Sequence, residues 1–207
     1  MIQIIDYGMG NVGSILNMIK YIGGEVEIVD SPNKITKASG IILPGVGAFG
    51  RGMNKLREGG WISHLEEASI YNKIPTLGIC LGMQLMTRSS EESPNTKGLG
   101  WFSADTIKFK FDNNKQYKIP HMGWNTFNTL GDSKLFKKSL KDQKYYFVHS
   151  YHVYCEDEKD IKATTKYGIE IVSAIEKNNI FGLQPHPEKS HKFGMNLFKD
   201  FLKLTLN

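Results

Sequence analysis

A short apolar run that ends in a cysteine between two glycines most limits what this chain of 207 residues can fold into. Thr76–Ile79 is a strand-like run that leads into Cys80, and Gly78 and Gly82 stand two residues to either side of the cysteine. Glycines at these positions let neighbouring backbone pass close to a tight turn without Cβ clashes. A helix-like run, Met83–Met86, follows at once. The pattern predicts a strained strand-to-helix turn that lifts a nucleophilic sulfur clear of a sheet.

A buried, inert cysteine is the competing interpretation, because free cysteine is among the most buried residue types. The helix predicted to follow Cys80 would direct its positive end at the sulfur and favour the thiolate. A catalytic role also needs a general base, and the segment Gly182–Ser190 contains a candidate, His186, between two prolines that restrict the backbone. Glu188 lies two residues on and faces the same way in an extended chain. We therefore predict Cys80 as nucleophile, His186 as base and Glu188 as orienting acid.

A glycine-rich loop after another buried strand is the candidate oxyanion site. The apolar run Gly40–Leu43 leads into Pro44–Gly50, which can present free backbone N–H groups to an anion. The loop lacks the Lys-Ser/Thr ending of a P-loop and the spacing of a dinucleotide fingerprint. We therefore expect it to bind a tetrahedral oxyanion, with N–H donors from Val46 and from Leu81, the residue after the nucleophile.

Strands and helices alternate along the first half of the chain, and short strand-like runs dominate the second half. The first half has strand-like runs at Ile2–Tyr7, Val26–Val29, Gly40–Leu43 and Thr76–Ile79, and helical runs at Val12–Ile22 and Ser63–Tyr71. After about Gly100 come Thr106–Phe109, Tyr117–Ile119, Tyr145–Val148, Val153–Cys155, Ala163–Thr165, a hairpin of Ile171–Ile175 and Ile180–Leu183 around Asn178–Asn179, and a final helix, Ser190–Leu204. The expected fold is α/β: a mostly parallel central sheet flanked by helices, with a smaller antiparallel β region in the second half. We expect one domain spanning residues 1–207.

The composition is that of a globular chain with a lysine-rich surface. Hydrophobic residues make up 40% of the sequence, and the formal net charge is +5. The lysines are scattered through Lys108–Lys118 and Lys134–Lys144, which indicates a solvated surface rather than a nucleic-acid site, and RNA-binding motifs are absent. No apolar run approaches the roughly 20 residues that span a bilayer, so no membrane contact is predicted.

The two cysteines, Cys80 and Cys155, show neither a disulfide pattern nor the spacing of zinc ligands. Because no signal peptide is evident, a reduced cytoplasmic setting is expected. No metal or cofactor is predicted.

Taken together, these motifs resemble class I (triad) glutamine amidotransferases, and more narrowly the glutaminase subunits of imidazole glycerol phosphate synthases. The segments that carry the resemblance are Ile4–Asn11, Leu43–Phe49, Gly78–Gln84, His121–Asn125, Tyr146–Tyr151 and His186–Ser190. One departure is Pro185, at a position where the family usually has an aromatic residue.

The resemblance implies that glutamine binds above Cys80 and is hydrolysed through a thioester. Residues expected at the substrate are Gly47, Gln84, His149, Ser150 and Tyr151. Family members pass ammonia through a channel to a (β/α)8-barrel synthase subunit, as a heterodimer, and the matching junction residues here are Met122, Trp124, Tyr146 and Lys189. Without the partner, the Gly45–Val46 peptide is expected to point its N–H away from the site, so that glutaminase activity is low.

Four alternatives stay open at this point. A paralogous subunit could supply ammonia for amidination of a surface or flagellar sugar, and Ser190–Met195 and the lysine-rich middle are compatible with that. A glutaminase of the pyridoxal phosphate or purine branch is disfavoured by the segment His121–Asn125. A non-catalytic binding module is disfavoured by the complete predicted triad. A cysteine protease is disfavoured because the glycine loop suits a small enclosed amide better than a polypeptide groove.

Overall fold

The structure is a computed structural model that describes residues 1–35, 38–111, 117–136 and 143–206. Its strands are β1 (Ile2–Ile5), β2 (Val26–Val29), β3 (Gly40–Leu43), β4 (Thr76–Ile79), β5 (Ser89–Ser90), β6 (Ala104–Lys108), β7 (His121–Thr126), β8 (Asn128–Thr129), β9 (Lys144–His149), β10 (Tyr151–Cys155), β11 (Ile161–Tyr167), β12 (Ile169–Lys177) and β13 (Ile180–Leu183). Its helices are α1 (Val12–Tyr21), α2 (Phe49–Glu58), α3 (Trp61–Glu66), α4 (Leu81–Leu85) and α5 (His191–Leu204), with a π-helical turn at Glu67–Tyr71.

The centre of the main sheet is parallel, in the order β2-β1-β3-β4-β13. Strands β1, β3, β4 and β13 are buried along their whole length, as expected for apolar runs covered on both faces. Helices α1 and α5 pack on one face of this sheet through side chains such as Ile15 and Phe198. Helices α2, α3 and α4 pack on the other face through side chains such as Phe49, Trp61 and Leu85.

The second half of the chain extends this sheet with antiparallel strands. β13 pairs with β12, β12 with β10 and β11, and β10 with β6, all antiparallel. β7 and β9 form a separate two-stranded antiparallel sheet. This architecture confirms the predicted mostly parallel α/β sheet with a smaller antiparallel region.

The bounds of the predicted elements hold within about two residues, apart from one predicted strand, whereas helix α2 and strands β5, β7 and β8 had no predicted range. Helix α1 begins after Asn11, whose side chain accepts a hydrogen bond from the Ser14 N–H at 3.2 Å, as expected for a helix cap. The strand predicted at Tyr117–Ile119 is wrong, because these residues are irregular and the strand is β7, which starts at His121. Pro120 has no N–H to donate to a ladder, so pairing begins only after it. Within the described ranges, no helix combines the length and apolarity needed to cross a membrane.

Candidate active site

Cys80 occupies a strained turn between a buried strand and a short helix. It directly follows β4, and its backbone has a φ of +54°, a conformation rarely adopted by residues other than glycine. The glycines around it are required by space: a Cβ on Gly82 would overlap the Leu43 carbonyl oxygen, and a Cβ on Gly78 would lie 2.8 Å from the Gly82 carbonyl carbon. Helix α4 starts at Leu81, earlier than the helix-like run suggested, and Cys80 is its N-cap residue. The predicted strand-to-helix elbow is therefore present.

His186 and Glu188 come to the same end of the sheet because β13 lies parallel to β4. The Cys80 N–H donates to the Leu183 carbonyl at 2.7 Å, so the chain leaves β13 beside the cysteine. His186 Nδ1 is 2.7 Å from Glu188 Oε1, and both side chains are almost fully buried. His186 Nε2 has no hydrogen-bond partner among the described residues. The geometry thus leaves one imidazole nitrogen fixed by a carboxylate and the other available at the cysteine.

The charges around His186 favour its protonated form. Burial alone would lower the pKa of His186, but attraction to the Cys80 sulfur and the Glu188 carboxylate raises it to about 10. The carboxylate accepts from Nδ1, so the proton on Nε2 is the one that can be transferred. A protonated imidazole beside a sulfur nucleophile is the arrangement that donates a proton to a leaving amine.

The backbone of His186 is held by Tyr146 and Ser190. The His186 N–H donates to the Tyr146 carbonyl at 2.8 Å. The Ser190 hydroxyl donates to the His186 carbonyl and accepts from the Tyr146 N–H at 3.0 Å. These bonds link the turn carrying the base to strand β9.

A cavity of about 410 Å³ opens over Cys80 and His186, within the range of about 300–1,000 Å³ typical of small-molecule sites. All five residues expected at the substrate line it, and they are Gly47, Gln84, His149, Ser150 and Tyr151. Val46 and Leu81, the expected oxyanion donors, line it as well. The fold therefore gathers all these residues around Cys80 and His186, although they come from four separate segments of the chain.

The oxyanion loop does not present both expected donors in this structure. The Leu81 N–H donates to the Gly45 carbonyl at 3.3 Å and is already occupied. The Gly45–Val46 peptide is trans, so its N–H points opposite to its carbonyl and away from Leu81. Tyr7 anchors the loop, because its hydroxyl donates to the Pro44 carbonyl at 2.8 Å. Burial, together with the nearby Cys80 charge, raises the pKa of Tyr7 and keeps it a hydrogen-bond donor.

Two further residues, one lining the cavity and one at the Cys80 sulfur, were not identified from the sequence. Glu92 lines it, and one of its carboxylate oxygens accepts from the Phe49 N–H at 2.7 Å at the start of α2. Gln184 is fully buried, and its amide nitrogen lies 3.7 Å from the Cys80 sulfur. Gln184 stands in the segment that carries His186, whereas Glu92 lies in a loop without a recognisable motif. Among the described residues, no group of three or more His, Cys, Asp or Glu side chains is placed to hold a metal ion.

The residues expected at a partner junction form one exposed surface on the β7–β9 sheet. Met122 and Trp124 are 60% and 46% exposed, which is unusual for large apolar side chains. Trp124 packs edge-to-face on Tyr146 with 6.3 Å between ring centroids. Lys189 places its ammonium 5.7 Å from the centre of the Tyr146 ring. We call these four residues the aromatic surface.

The inner face of the same sheet carries a buried histidine pair. His121 Nδ1 lies 3.1 Å from His149 Nε2, and His121 stacks between the rings of Phe147 and Tyr167. Burial lowers the pKa of His121 to about 4 and the pKa of His149 to about 3. Both imidazoles are therefore neutral at physiological pH.

The buried pair predicts a loss of stability in mild acid. The unfolded chain takes up protons on these histidines near pH 6.5 and the folded chain does not, so stability is complete above that pH and is lost as pH falls towards 4. Because each pH unit is worth about 1.4 kcal/mol, each histidine lowers the free energy of unfolding by about 2 kcal/mol at pH 5. In urea unfolding, wild type should lose about 2 kcal/mol more between pH 7 and pH 5 than His121→Phe. Equal losses in the two proteins would show that His121 titrates normally in the fold.

Comparison with known proteins gives a consistent result. A family model described as glutamine amidotransferase class-I matches residues 3–204. A protein of Methanococcus maripaludis named imidazole glycerol phosphate synthase subunit HisH 2 is 54% identical over 203 residues, which cover 98% of this chain and 99% of that protein. A Pseudomonas aeruginosa protein of the same name is 42% identical over 205 residues, covering 99% and 100%. A solved structure described as a glutamine amidotransferase has a TM-score of 0.77 at 15% identity, covering 100% of this chain and 99% of the other, and this likeness concerns the fold alone.

Proposed function

The chain belongs to the class I glutamine amidotransferase family, and we propose that it hydrolyses glutamine through Cys80, His186 and Glu188. The ammonia passes to a (β/α)8-barrel synthase subunit that forms imidazole glycerol phosphate in histidine biosynthesis, in the reducing cytoplasm. The observation that carries the proposal is the contact of 2.7 Å between His186 Nδ1 and Glu188 Oε1, beside Cys80 in one cavity. Release of glutamate and ammonia from glutamine, measured on the protein and its variants, tests it.

The chemistry follows from this geometry in two steps. The Cys80 sulfur attacks the side-chain amide carbon of glutamine, and His186 donates its Nε2 proton as ammonia leaves, which produces a γ-glutamyl thioester. Water then attacks the thioester while His186 takes up a proton, and glutamate leaves from the regenerated sulfur. Glu188 keeps the imidazole in the tautomer that both steps need and stabilises its charge. Binding needs no cofactor.

Charges and polar groups along the cavity account for selection of a free amino acid. Among the described residues that line the cavity, Glu92 is the one with a carboxylate, and we propose that it binds the α-ammonium group of glutamine. Gly47 and the Ser150–Tyr151 peptide supply polar backbone for the α-carboxylate. Gln84 donates to the Tyr151 carbonyl and to Gln184 Oε1, each at 3.1 Å, and so shapes the pocket wall while its own oxygen remains for the substrate.

A peptide rotation would switch the oxyanion site on. With the Gly45 carbonyl bonded to Leu81, the negative oxygen of a tetrahedral intermediate meets a carbonyl instead of donors. Rotation of the Gly45–Val46 peptide would free the Leu81 N–H and bring in the Val46 N–H. One such donor is worth about 10²–10³ in rate, so glutaminase activity is low until the loop rotates.

The aromatic surface is the proposed docking site for the barrel subunit. Tyr146 belongs to this surface and accepts the backbone hydrogen bond of His186, so docking there lies one bond from the catalytic base. Interface anchors are typically aromatic residues at the centre of the contact. Val46, on the oxyanion loop, is 44% exposed and lines the cavity.

Trp124→Ala tests this docking site. Co-purified with the barrel subunit of the same organism, wild type should form a complex and hydrolyse glutamine faster than alone. Trp124→Ala should weaken the complex by about 2 kcal/mol or more, close to 30-fold in Kd, and lose the stimulation. The matched control is Tyr71→Ala, which removes an aromatic side chain that is 76% exposed and lies outside the aromatic surface. This variant should bind the barrel subunit as wild type does. Equal binding by both variants would place the interface elsewhere, and equal rates with and without the barrel would argue against gating.

A second function, supply of ammonia for amidination of a surface or flagellar sugar, is favoured by one observation. The names of both relatives end in the number 2, as expected when an organism has two proteins called by the same name. A second copy can serve a different synthase with the same glutaminase chemistry. Expression in a histidine auxotroph that lacks its own glutaminase subunit, together with the matching barrel, separates the two. Growth without histidine supports the histidine pathway, and no growth despite active glutaminase supports the sugar pathway.

A further inference from the structure

A continuous series of hydrogen bonds connects strand β7 with the Cys80 sulfur. It starts on the inner face of the strand whose outer face carries Met122 and Trp124. The first half runs from Asn125 Nδ2 to His121 Nε2 (3.2 Å), from His121 Nδ1 to His149 Nε2 (3.1 Å), and from His149 Nδ1 to the Tyr151 carbonyl (2.7 Å). The second half runs from that carbonyl to Gln84 Nε2 (3.1 Å), from Gln84 Nε2 to Gln184 Oε1 (3.1 Å), and from Gln184 Nε2 to Cys80 Sγ (3.7 Å). We call this series the relay.

Hydrogen-bond donors and acceptors can be arranged in only one way along the histidine half of the relay. A carbonyl oxygen only accepts, so His149 carries its proton on Nδ1 and has an accepting Nε2. His121 must then donate from Nδ1 and accept at Nε2. Asn125 provides the matching donor, because its Oδ1 accepts from the Thr126 N–H at 2.8 Å and its Nδ2 also donates to the Lys166 carbonyl at 3.0 Å. A proton added to either histidine would place two N–H groups face to face.

The glutamine half of the relay ends at the sulfur with a defined orientation. Gln84 donates to Gln184 Oε1, so the other end of the Gln184 amide is its NH₂ group, directed at Cys80. Gln184 is fully buried, so both ends of its amide depend on these partners within the protein. The Tyr151 carbonyl joins the two halves, because it accepts from His149 and Gln84 together.

We propose that His121 is a positioning residue for the nucleophile, which acts through His149, the Tyr151 carbonyl and the two glutamine side chains to hold the Gln184 amide on the Cys80 sulfur. This role rests on the proposed function of Cys80. His121 touches neither the sulfur nor the cavity, but loss of its hydrogen bond leaves His149 Nε2 without a donor, so that the His149 ring and the Tyr151 peptide that accepts from it are held less firmly. Because His121 directly precedes Met122, the relay begins one residue from the aromatic surface.

The experiment compares two ring substitutions at buried histidines. His121→Phe keeps a ring between Phe147 and Tyr167 but removes the donor to His149. His152→Phe is the matched control, because His152 is equally buried, packs on Phe109 and lies outside the relay. Under conditions in which wild type hydrolyses glutamine, His121→Phe should lower kcat/KM by about 10- to 100-fold, mostly through kcat. His152→Phe should stay within about twofold of wild type. His121→Asn, whose amide can replace the Nδ1 donor, should recover most of the loss.

Side-chain ¹⁵N NMR of the wild-type protein tests the relay without any assay of glutamine. Two histidines should be in the Nδ1–H tautomer and remain neutral at pH 6, and the His149 Nε2 signal should shift in His121→Phe because it loses its donor. If wild type is active, either of two results would overturn the positioning role: an unchanged kcat/KM in His121→Phe, or Nε2–H tautomers of the two histidines in wild type. Wild type without glutaminase activity but with both Nδ1–H tautomers would overturn the proposed function and leave the relay standing.

Discussion

Replacing Cys80 with alanine is expected to reduce glutamine hydrolysis by about 10⁴- to 10⁶-fold, as removal of the nucleophile does in other triads. The sulfur forms the bond to the substrate, and no neighbouring group can substitute for it. His186 and Glu188 would remain paired but would have no covalent intermediate to form or resolve. The measurement is glutamate release together with mass spectrometry of the γ-glutamyl adduct on the intact protein.

Cys155→Ala is the matched control for this change. Cys155 is the other free cysteine, is 6% exposed like Cys80, and donates to the Asp157 carbonyl at 3.3 Å, away from the cavity. Its replacement should leave the rate and the adduct in place. Undiminished hydrolysis in Cys80→Ala would remove the basis for the mechanism and favour a binding module that contains this fold.

Glu188→Gln is expected to lower kcat by about 10⁴-fold while the fold remains intact, as the carboxylate-to-amide change does in serine protease triads. The Glu188 carboxylate accepts from His186 Nδ1, which places the transferable proton on Nε2. An amide can present its NH₂ group to Nδ1 instead, which would place the proton of the neutral ring on Nε2 and leave no nitrogen at the cysteine that can accept a proton. The charged imidazole would also lose its counter-ion inside the protein. Steady-state kinetics at saturating glutamine measure the effect.

Two further variants separate this effect from general damage to a buried carboxylate. Glu176→Gln alters another buried glutamate, which accepts from the Ser133 hydroxyl and from the Lys134 N–H at 3.0 Å and does not line the cavity over Cys80. It should change the free energy of unfolding more than the rate. Glu188→Asp keeps the charge and should retain more activity than Glu188→Gln. If Glu188→Gln and Glu176→Gln reduced kcat equally, the carboxylate would have no specific role at the base.

Local sequence patterns were sufficient for most of the fold. The buried runs of β3, β4 and β13 are rich in apolar residues, and each follows a proline or a polar residue, so their bounds were predicted to the residue. Strand β1, which includes the polar Gln3, ends at Ile5 and not at the predicted Tyr7. The error at Tyr117–Ile119 arose because an apolar run was taken as a strand although Pro120 follows it. β7 was not predicted as a strand, because its large apolar residues, Met122 and Trp124, lie on the exposed face and the opposite face carries His121 and Asn125.

The chain by itself determined the identity of the nucleophile turn and of the proline-bracketed histidine, because glycine and proline restrict the backbone through local sterics alone. Only the tertiary structure decided that Glu92 faces the cavity, that the Gly45 carbonyl occupies the Leu81 N–H, and that His121 bonds to His149. Those contacts join residues 28 to 43 positions apart, and their geometry depends on how strands and loops pack, not on any preference of the residues themselves.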